Sequence, residues 1–286
     1  MNLITGRIQT PLVIGMPSLH DSLRNVERQC FFCGNPVLVE NSPATGKITT
    51  VRLIHMPPIP PSPYFPTPDV ADEDGLLAVG GDLTPPVLLD AYIHGIFPWP
   101  VGDDDYPLTW FSPDPRAVFE FSKFHTPKRL GRTIRSNRFE STCDQAFEQV
   151  MIACATAQGR AGETWITQEM INAYVELHRL GVAHSVESWR NGRLVGGVYG
   201  LAIRGMFAAE SMFYLEQNAS KVALCRLVIH AASRGYQLFD IQQMTDNARR
   251  FGAVEISRAA YIERLDSALD FDVTFGDRLE PIDFCS

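Results

Sequence analysis

The chain has 286 residues, of which 45% are hydrophobic and 20% are charged, a composition typical of a globular protein rather than of a fibrous or disordered chain. The formal net charge of −8 argues against a protein that coats nucleic acid with its whole surface, because such binding needs an excess of basic residues. The sequence contains neither a run of about 18 apolar residues nor a signal peptide, so we expect a cytoplasmic protein without membrane segments. Its six cysteines are too sparse for a disulfide-stapled domain and are expected to be reduced.

Residues 1–63 show no helical or strand periodicity and end in a proline-rich stretch at 57–63, which favours extended backbone. We interpret them as a tail, in which Met56 is an alternative translation start. Cys30 and Cys33 have the spacing of half a zinc knuckle. A closed zinc site needs four ligands, however, and no second pair lies at a suitable distance, so we predict no metal site.

Residues 64–115 are expected to form a small N-terminal domain. Thr84 and Gly95 mark the start and the end of an amphipathic helix in it. Trp99 follows between two prolines, which exclude helix and hold the indole ring on a stiff loop. Two interpretations are open for this ring: packing in the core and stacking on a planar ligand.

A strand near 117–121 opens the second domain, 116–276. Between positions 123 and 138 the chain carries six Lys or Arg side chains and no acid. A helix that starts near Thr126 brings four of them onto neighbouring positions of one face, namely Lys128, Arg129, Arg132 and Arg135. Such a face is either an ordinary solvated surface or a site for nucleic-acid phosphates, and both interpretations are open.

The remaining residues alternate between helices and strands. Two helices, near 142–155 and 168–180, flank a loop that contains Trp165. Strands are expected at 184–189, 194–203, 206–214 and 236–242, helices at 219–233, 246–251 and 258–265, and a tail at 277–286. Helices around an antiparallel meander indicate an α+β fold with a mixed sheet, an architecture that fits the GNAT acyltransferases.

Three polar side chains stand out on two of these strands. Alternation over 206–214 places Glu210 on one face with Met206, Ala208 and Met212, where an unpaired carboxylate is costly. Asp240 and Gln242 share a face at the carboxyl end of the last strand, where α/β sheets favour ligand sites. On the pattern alone, each strand carries either a structural pair or a ligand site.

Six short motifs occur in order along the chain: DGLLAVGGDL at 74–83, GIFPW at 95–99, WFSPDPR at 110–116, TWIT at 164–167, ESMF at 210–213 and NASK at 218–221. One such motif is weak, but the ordered series is highly specific. Over about 64–265 the chain resembles the bacterial leucyl/phenylalanyl-tRNA–protein transferases. It departs from their pattern at Ala208-Ala209 and Ile241 and in lacking a His beside Asn247, which leaves the donor and acceptor preferences open.

The resemblance implies a small N-terminal domain packed on a GNAT-like domain, with no metal and no cofactor. It implies transfer of Leu, Phe or Met from aminoacyl-tRNA to the N-terminal α-amine of proteins beginning with Arg or Lys, which creates an N-degron. We expect a monomer that meets no membrane. Positioning should dominate the chemistry, because an aminoacyl ester is already activated.

The resemblance also implies roles for single residues. Trp99 and Trp165 are similar to aromatic residues around the 3′-terminal adenosine, and the basic helix to a cluster that holds acceptor-stem phosphates. Phe207, Ser211 and Met212 are similar to substrate-binding residues of the family, with Phe207 and Met212 as walls of the donor side-chain pocket. Gln242 is expected to accept a hydrogen bond from the attacking amine, Asp240 to orient it or to remove its proton, and Glu210 to fix the acceptor's N-terminus or basic side chain.

Three rival functions are left. A GNAT enzyme that uses acetyl-CoA would bind the pyrophosphate with a glycine-rich turn, but the segment 216–221 that enters the expected helix has no glycine. A ligase could use aminoacyl-tRNA with a different acceptor. A non-catalytic tRNA or protein binder would not need Glu210, Asp240 and Gln242 together.

Overall fold

The computed structural model describes residues 59–99, 107–156 and 164–281. The expected tail up to residue 58, with the Cys30 and Cys33 pair and the alternative start Met56, lies outside the described residues, as do 282–286. In the described part, the expected C-terminal tail makes contacts with the helix Ala219–Arg234 up to residue 280. The Glu280 backbone N–H donates to His230 Nδ1 at 3.0 Å, and its carboxylate lies 3.4 Å from Arg234.

A small antiparallel sheet, one α-helix and a short 3-10 helix (Pro68–Val70) make up the N-terminal part of the described chain. The strands are β1 (Leu76–Val79), β2 (Phe97–Pro98) and β3 (Thr109–Phe111), with β3 in the middle. Helix α1 (Pro85–Ile93) begins after Thr84 as predicted, although the Thr84 side chain makes no capping hydrogen bond. The helix buries Leu88, Ala91 and Tyr92. These residues belong to one apolar cluster that continues into the larger part of the protein.

The larger sheet has seven strands within the described residues, in the order β10-β4-β9-β8-β7-β6-β5. The strands are β4 (Arg116–Phe119), β5 (Glu140–Cys143), β6 (Ala183–Arg190), β7 (Arg193–Ile203), β8 (Met206–Tyr214), β9 (Leu238–Gln242) and β10 (Val254–Ile256). β8 and β9 pair in parallel, whereas the other neighbours pair antiparallel. The predicted α+β fold with a mixed sheet is therefore confirmed.

Helices cover both faces of this sheet. They are α2 (Lys128–Arg135), α3 (Phe147–Thr156), α4 (Gln168–Arg179), α5 (Ala219–Arg234), α6 (Asp246–Arg249) and α7 (Arg258–Leu269). The apolar side chains of α3 and α4 join the same cluster as those of α1, while α5 packs in a second cluster on the other face. Two helix ends that local signals predict are confirmed. The Thr167 hydroxyl caps the start of α4, and Gly235 ends α5 with a left-handed backbone conformation.

One predicted helix starts later than its sequence indicates. The helix expected over 142–155 begins only at Phe147, because residues 140–143 pair with β6 as the edge strand β5. Asp144, at a φ of +58°, separates the strand from the helix. Tertiary pairing here overrides a local helical pattern.

Candidate active site

The candidate site lies where the two parallel strands of the large sheet separate. Pairing between β8 and β9 ends at Ala208 opposite Asp240. Beyond this pair, Glu210 on β8 and Gln242 on β9 face a common opening. β9 also shifts register against β4 around Ile241. Two strands that stop pairing leave room for a ligand at their carboxyl ends.

A β-bulge at Glu210 turns this carboxylate towards the opening. Ala209 lies opposite Gly200 and Ser211 opposite Tyr199, so Glu210 is an extra residue on β8. Bulges are frequent next to active sites, because the extra residue re-aims a side chain.

The bulge makes one sequence-based prediction wrong. Strict alternation placed Met206, Ala208, Glu210 and Met212 on one face of the strand. Met206 and Ala208 belong to the cluster on the α4 side of the sheet, whereas Met212 packs against the cluster on the α5 side. The extra residue shifts the alternation by one, so Met212 and Glu210 reach the opening from different sides.

The opening leads into a cavity of about 410 Å³. It collects six residues predicted from the sequence as site residues, namely Trp99, Trp165, Glu210, Ser211, Met212 and Gln242. Two other predicted residues, Phe207 and Asp240, are fully buried and are not part of its lining. Phe207 lies where β8 still pairs with β9, and its ring stacks on Phe239 with centroids 5.3 Å apart. The prediction that Phe207 forms a wall of the pocket is therefore wrong, because its ring packs in the core.

Glu210 is half-buried and is held by two donors on one oxygen. Its Oε1 accepts hydrogen bonds from the Tyr92 hydroxyl at 2.7 Å and from Gln242 Nε2 at 3.2 Å. The Tyr174 hydroxyl lies 2.6 Å from the Tyr92 hydroxyl and extends this hydrogen-bond network. Burial raises the pKa of Glu210 to about 8. The hydrogen bond from Tyr92 lowers this pKa, and the negative charge of Asp240 raises it further.

Asp240 is completely buried, and its carboxylate is occupied by protein donors. Arg116 donates from Nε and Nη2 at 2.9 and 2.6 Å, the Tyr261 hydroxyl donates at 2.9 Å and the Gln242 backbone N–H at 2.9 Å. The Arg116 guanidinium also lies over the Phe97 and Tyr261 rings, at 4.6 and 4.4 Å. Burial lowers the pKa of Arg116, but the charge and hydrogen bonds of Asp240, together with Tyr261 and Tyr92, outweigh this effect and raise the pKa.

Gln242 has an unusual backbone conformation that Asp240 supports. Its φ is +57°, and a hydrogen bond of 2.6 Å from the Gln243 N–H to the Ile241 carbonyl closes a three-residue turn around it. Positive φ is strained for a residue with a side chain, and such strain concentrates at functional sites. The bond from the Gln242 N–H to Asp240 fixes this turn and thereby the direction of the amide side chain.

Trp99 and Trp165 meet at the mouth of the cavity. Their ring centroids are 5.7 Å apart with an interplanar angle of 33°. A base inserted between two rings needs about 7 Å, twice the contact distance of about 3.5 Å between carbon atoms. The pair therefore offers an outer ring face for stacking and no slot between the rings.

The basic helix α2 lies one helix away from the cavity. Lys128, Arg129, Arg132 and Arg135 are exposed on it, as the sequence predicted. Its buried side packs against α5, and Leu224 of α5 lines the cavity.

Sequence reasoning did not find four polar residues that hold Glu210 and Asp240, namely Tyr92, Tyr174, Arg116 and Tyr261. Tyr92 was assigned to the buried stripe of a helix, and neither Tyr174 nor Arg116 was given a role. Only Arg116 carried a signal, because a charged residue at the start of a buried strand needs a partner.

No helix in 59–99, 107–156 and 164–281 is long and apolar enough to cross a membrane. The same ranges contain no group of three His, Cys, Asp or Glu side chains that could hold a metal ion.

Comparison with solved structures finds proteins of low similarity. The structure of L-PGS from Bacillus licheniformis is 14% identical, with a TM-score of 0.33 over 55% of this chain and 50% of that one. A GCN5-related N-acetyltransferase-like protein from Streptococcus suis is 9% identical, with a TM-score of 0.27 over 56% and 57% of the two chains.

Comparison with sequences is more specific. A leucyl/phenylalanyl-tRNA–protein transferase of Oleidesulfovibrio alaskensis is 51% identical over 219 residues, which are 74% of this chain and 87% of the relative. One of an Anaeromyxobacter species is 49% identical over 229 residues, 77% of this chain and 96% of the relative. The family model for leucyl/phenylalanyl-tRNA protein transferase matches residues 118–266, and the model for its N-terminal domain matches 81–114. The chain therefore belongs to the leucyl/phenylalanyl-tRNA protein transferase family.

Proposed function

We propose that this protein transfers Leu, Phe or Met from aminoacyl-tRNA to the N-terminal α-amine of proteins that begin with Arg or Lys. The observation that carries the proposal is the convergence of the tryptophan pair, an apolar wall and the polar Glu210–Gln242 pair on one cavity. The product is an N-degron, a mark for proteolysis. The enzyme acts in the cytoplasm as a monomer. It needs no cofactor, because the aminoacyl ester is already activated.

The donor end of aminoacyl-tRNA fits the apolar half of the cavity. Its terminal adenine stacks on the Trp99 and Trp165 pair, since base–aromatic stacking tolerates any base. The amino-acid side chain lies against Met212, Val198 and Leu224. An adaptable apolar wall of this kind accepts Leu, Phe and Met with small differences in affinity.

The acceptor amine fits the polar half. Gln242 uses its amide N–H to bond Glu210, which leaves its carbonyl oxygen to accept a hydrogen bond from the amine. Asp240 acts as a positioning residue. It accepts the hydrogen bond from the Gln242 backbone N–H, and it does not itself line the cavity. Close placement of the amine beside the ester supplies most of the rate enhancement.

The function is tested by supplying Leu-tRNA and a peptide that begins with Arg, and by mass spectrometry of the peptide. We expect a peptide extended by one leucine. The same peptide with an acetylated N-terminus is the matched control and should stay unchanged, and acetyl-CoA in place of Leu-tRNA should give no product. A folded protein that extends neither Arg nor Lys peptides would contradict the proposal.

The basic helix α2 is proposed to hold acceptor-stem phosphates. Each phosphate contact contributes about 0.9 to the slope of log K against log salt concentration on a duplex. Replacing Arg129 and Arg132 by Ala should therefore weaken tRNA binding at low salt and reduce this slope by up to about 1.8.

The salt titration is made by filter binding or by anisotropy. Arg179→Ala, which removes an exposed arginine of α4, is the matched control and should leave the slope unchanged. An equal slope in the wild type and in the double variant would remove α2 from the tRNA interface.

A further inference from the structure

Formation of the peptide bond requires a proton to move. The attacking amine nitrogen must lose a proton, and the ribose oxygen that leaves must gain one. A side chain that carries this proton has to reach the cavity with a free acceptor atom.

Asp240 does not meet this requirement. Both of its oxygens accept hydrogen bonds, from Arg116, Tyr261 and the Gln242 backbone, and its exposed fraction is 0%. A proton could reach it only after the Arg116 pair had been broken.

Glu210 does meet it. Among the described residues that line the cavity, Glu210 is the only one with an ionisable side chain. The hydrogen bonds from Tyr92 and Gln242 both end on Oε1. Oε2 has no hydrogen-bond partner among the described residues, and it is the oxygen left to meet a ligand.

We infer that Glu210 carries the proton from the attacking amine to the leaving ribose oxygen, while Tyr92 and Tyr174 hold it in place. As the new C–N bond forms, an N–H proton moves to Oε2 of the Glu210 carboxylate. As the C–O bond of the ester breaks, the protonated Glu210 returns this proton to the 3′-oxygen of the ribose. The carboxylate is restored and no further reactant is needed. This inference rests on the function proposed above.

The surroundings of Glu210 suit this task. The groups that face it are the hydroxyls of Tyr92 on α1 and Tyr174 on α4, the charged Asp240 and Arg116 behind it, and the neutral Gln242. Burial raises the pKa of Glu210 to about 8, close to cellular pH, where a group can both accept and return a proton.

The raised pKa also sets the sign of a pH effect on stability. The folded protein favours the protonated form of Glu210. The contribution of this group to the free energy of unfolding is therefore fully present below the ordinary pKa of 4.5, and it is lost as the pH rises towards 8. A neutral amide at this position does not titrate. The melting temperature of Glu210→Gln should therefore fall less than that of the wild type between pH 5 and pH 8.

The decisive experiment compares the wild type and Glu210→Gln in single turnovers with Leu-tRNA at saturating peptide. Two peptides are used, one beginning with Arg and one with citrulline, which has a neutral side chain of similar shape. We expect Glu210→Gln to slow transfer to both peptides by about 100-fold to 10,000-fold, the usual range for a lost proton carrier. The ratio of rates between the two peptides should be unchanged.

Two results would overturn the inference. One is a saturated rate of Glu210→Gln within about threefold of the wild type, well below the usual loss. The other is a collapse of the arginine-to-citrulline ratio, which would show that Glu210 binds the acceptor side chain. A wild type that transfers nothing would defeat the proposed function itself, and the inference with it.

A second variant decides the case if Glu210→Gln unfolds. Tyr92→Phe removes a hydrogen bond that lowers the pKa of Glu210. The pH at which the single-turnover rate rises should shift upwards in this variant, with the same peptide and hence the same amine. An unmoved pH profile would overturn the inference, because a purely structural tyrosine does not alter it.

Discussion

Asp240→Ala is expected to lower the free energy of unfolding by about 3–5 kcal/mol and to abolish transfer. The substitution leaves the Arg116 guanidinium, which is 1% exposed, without its carboxylate inside the protein. A buried charge without a partner is among the most costly single changes. Urea unfolding followed by circular dichroism measures the loss, and the transfer assay measures the activity.

The matched control is another arginine–carboxylate pair between the β4 end and α7. Arg264 lies 3.3 Å from Glu120, and its side chain is 45% exposed. Arg264→Ala should change the free energy of unfolding by at most about 1 kcal/mol, because exposed pairs contribute little. Equal, small losses in both variants would show that the Arg116–Asp240 pair does not hold the site together.

Trp165→Ala is expected to weaken binding of the aminoacyl-tRNA end by about 1–3 kcal/mol, the range for the loss of one base–aromatic stack. The substitution removes one ring of the pair at the mouth of the cavity. Competition of a minimal donor, leucine esterified to adenosine, against Leu-tRNA measures this effect without the acceptor-stem phosphates that α2 is proposed to hold.

Trp165→Phe is the control for this experiment, since a phenyl ring still stacks. It should retain most of the affinity for the minimal donor. Equal affinities of the wild type and Trp165→Ala would place the adenine elsewhere in the cavity.

The sequence predicted most elements whose signals are local. Helix α4 has its cap at Thr167, strand β8 spans the predicted residues, and the basic helix α2 begins within two residues of its predicted start. These elements follow from side-chain caps, alternation and hairpin glycines, which act over a few residues.

The sequence did not predict elements that depend on distant partners. The short strands β1, β2 and β10 and the edge strand β5 exist because other strands pair with them. The bulge at Glu210 is of the same kind, since its extra residue is defined only against β7. Alternation along β8 alone therefore assigned Met212 to the wrong side.

The sequence by itself determined the family, through six ordered motifs, and identified six of the side chains that line the cavity. Only the tertiary structure decided how the two acids differ in burial and in hydrogen-bond partners. Asp240 and Glu210 are both carboxylates on neighbouring strands. Asp240 is surrounded by donors from Arg116 and Tyr261, whereas Glu210 lines the cavity and has one oxygen without a hydrogen-bond partner among the described residues. The physical reason is that burial and hydrogen-bond partners, which come from residues far apart in the chain, set what a carboxylate can do.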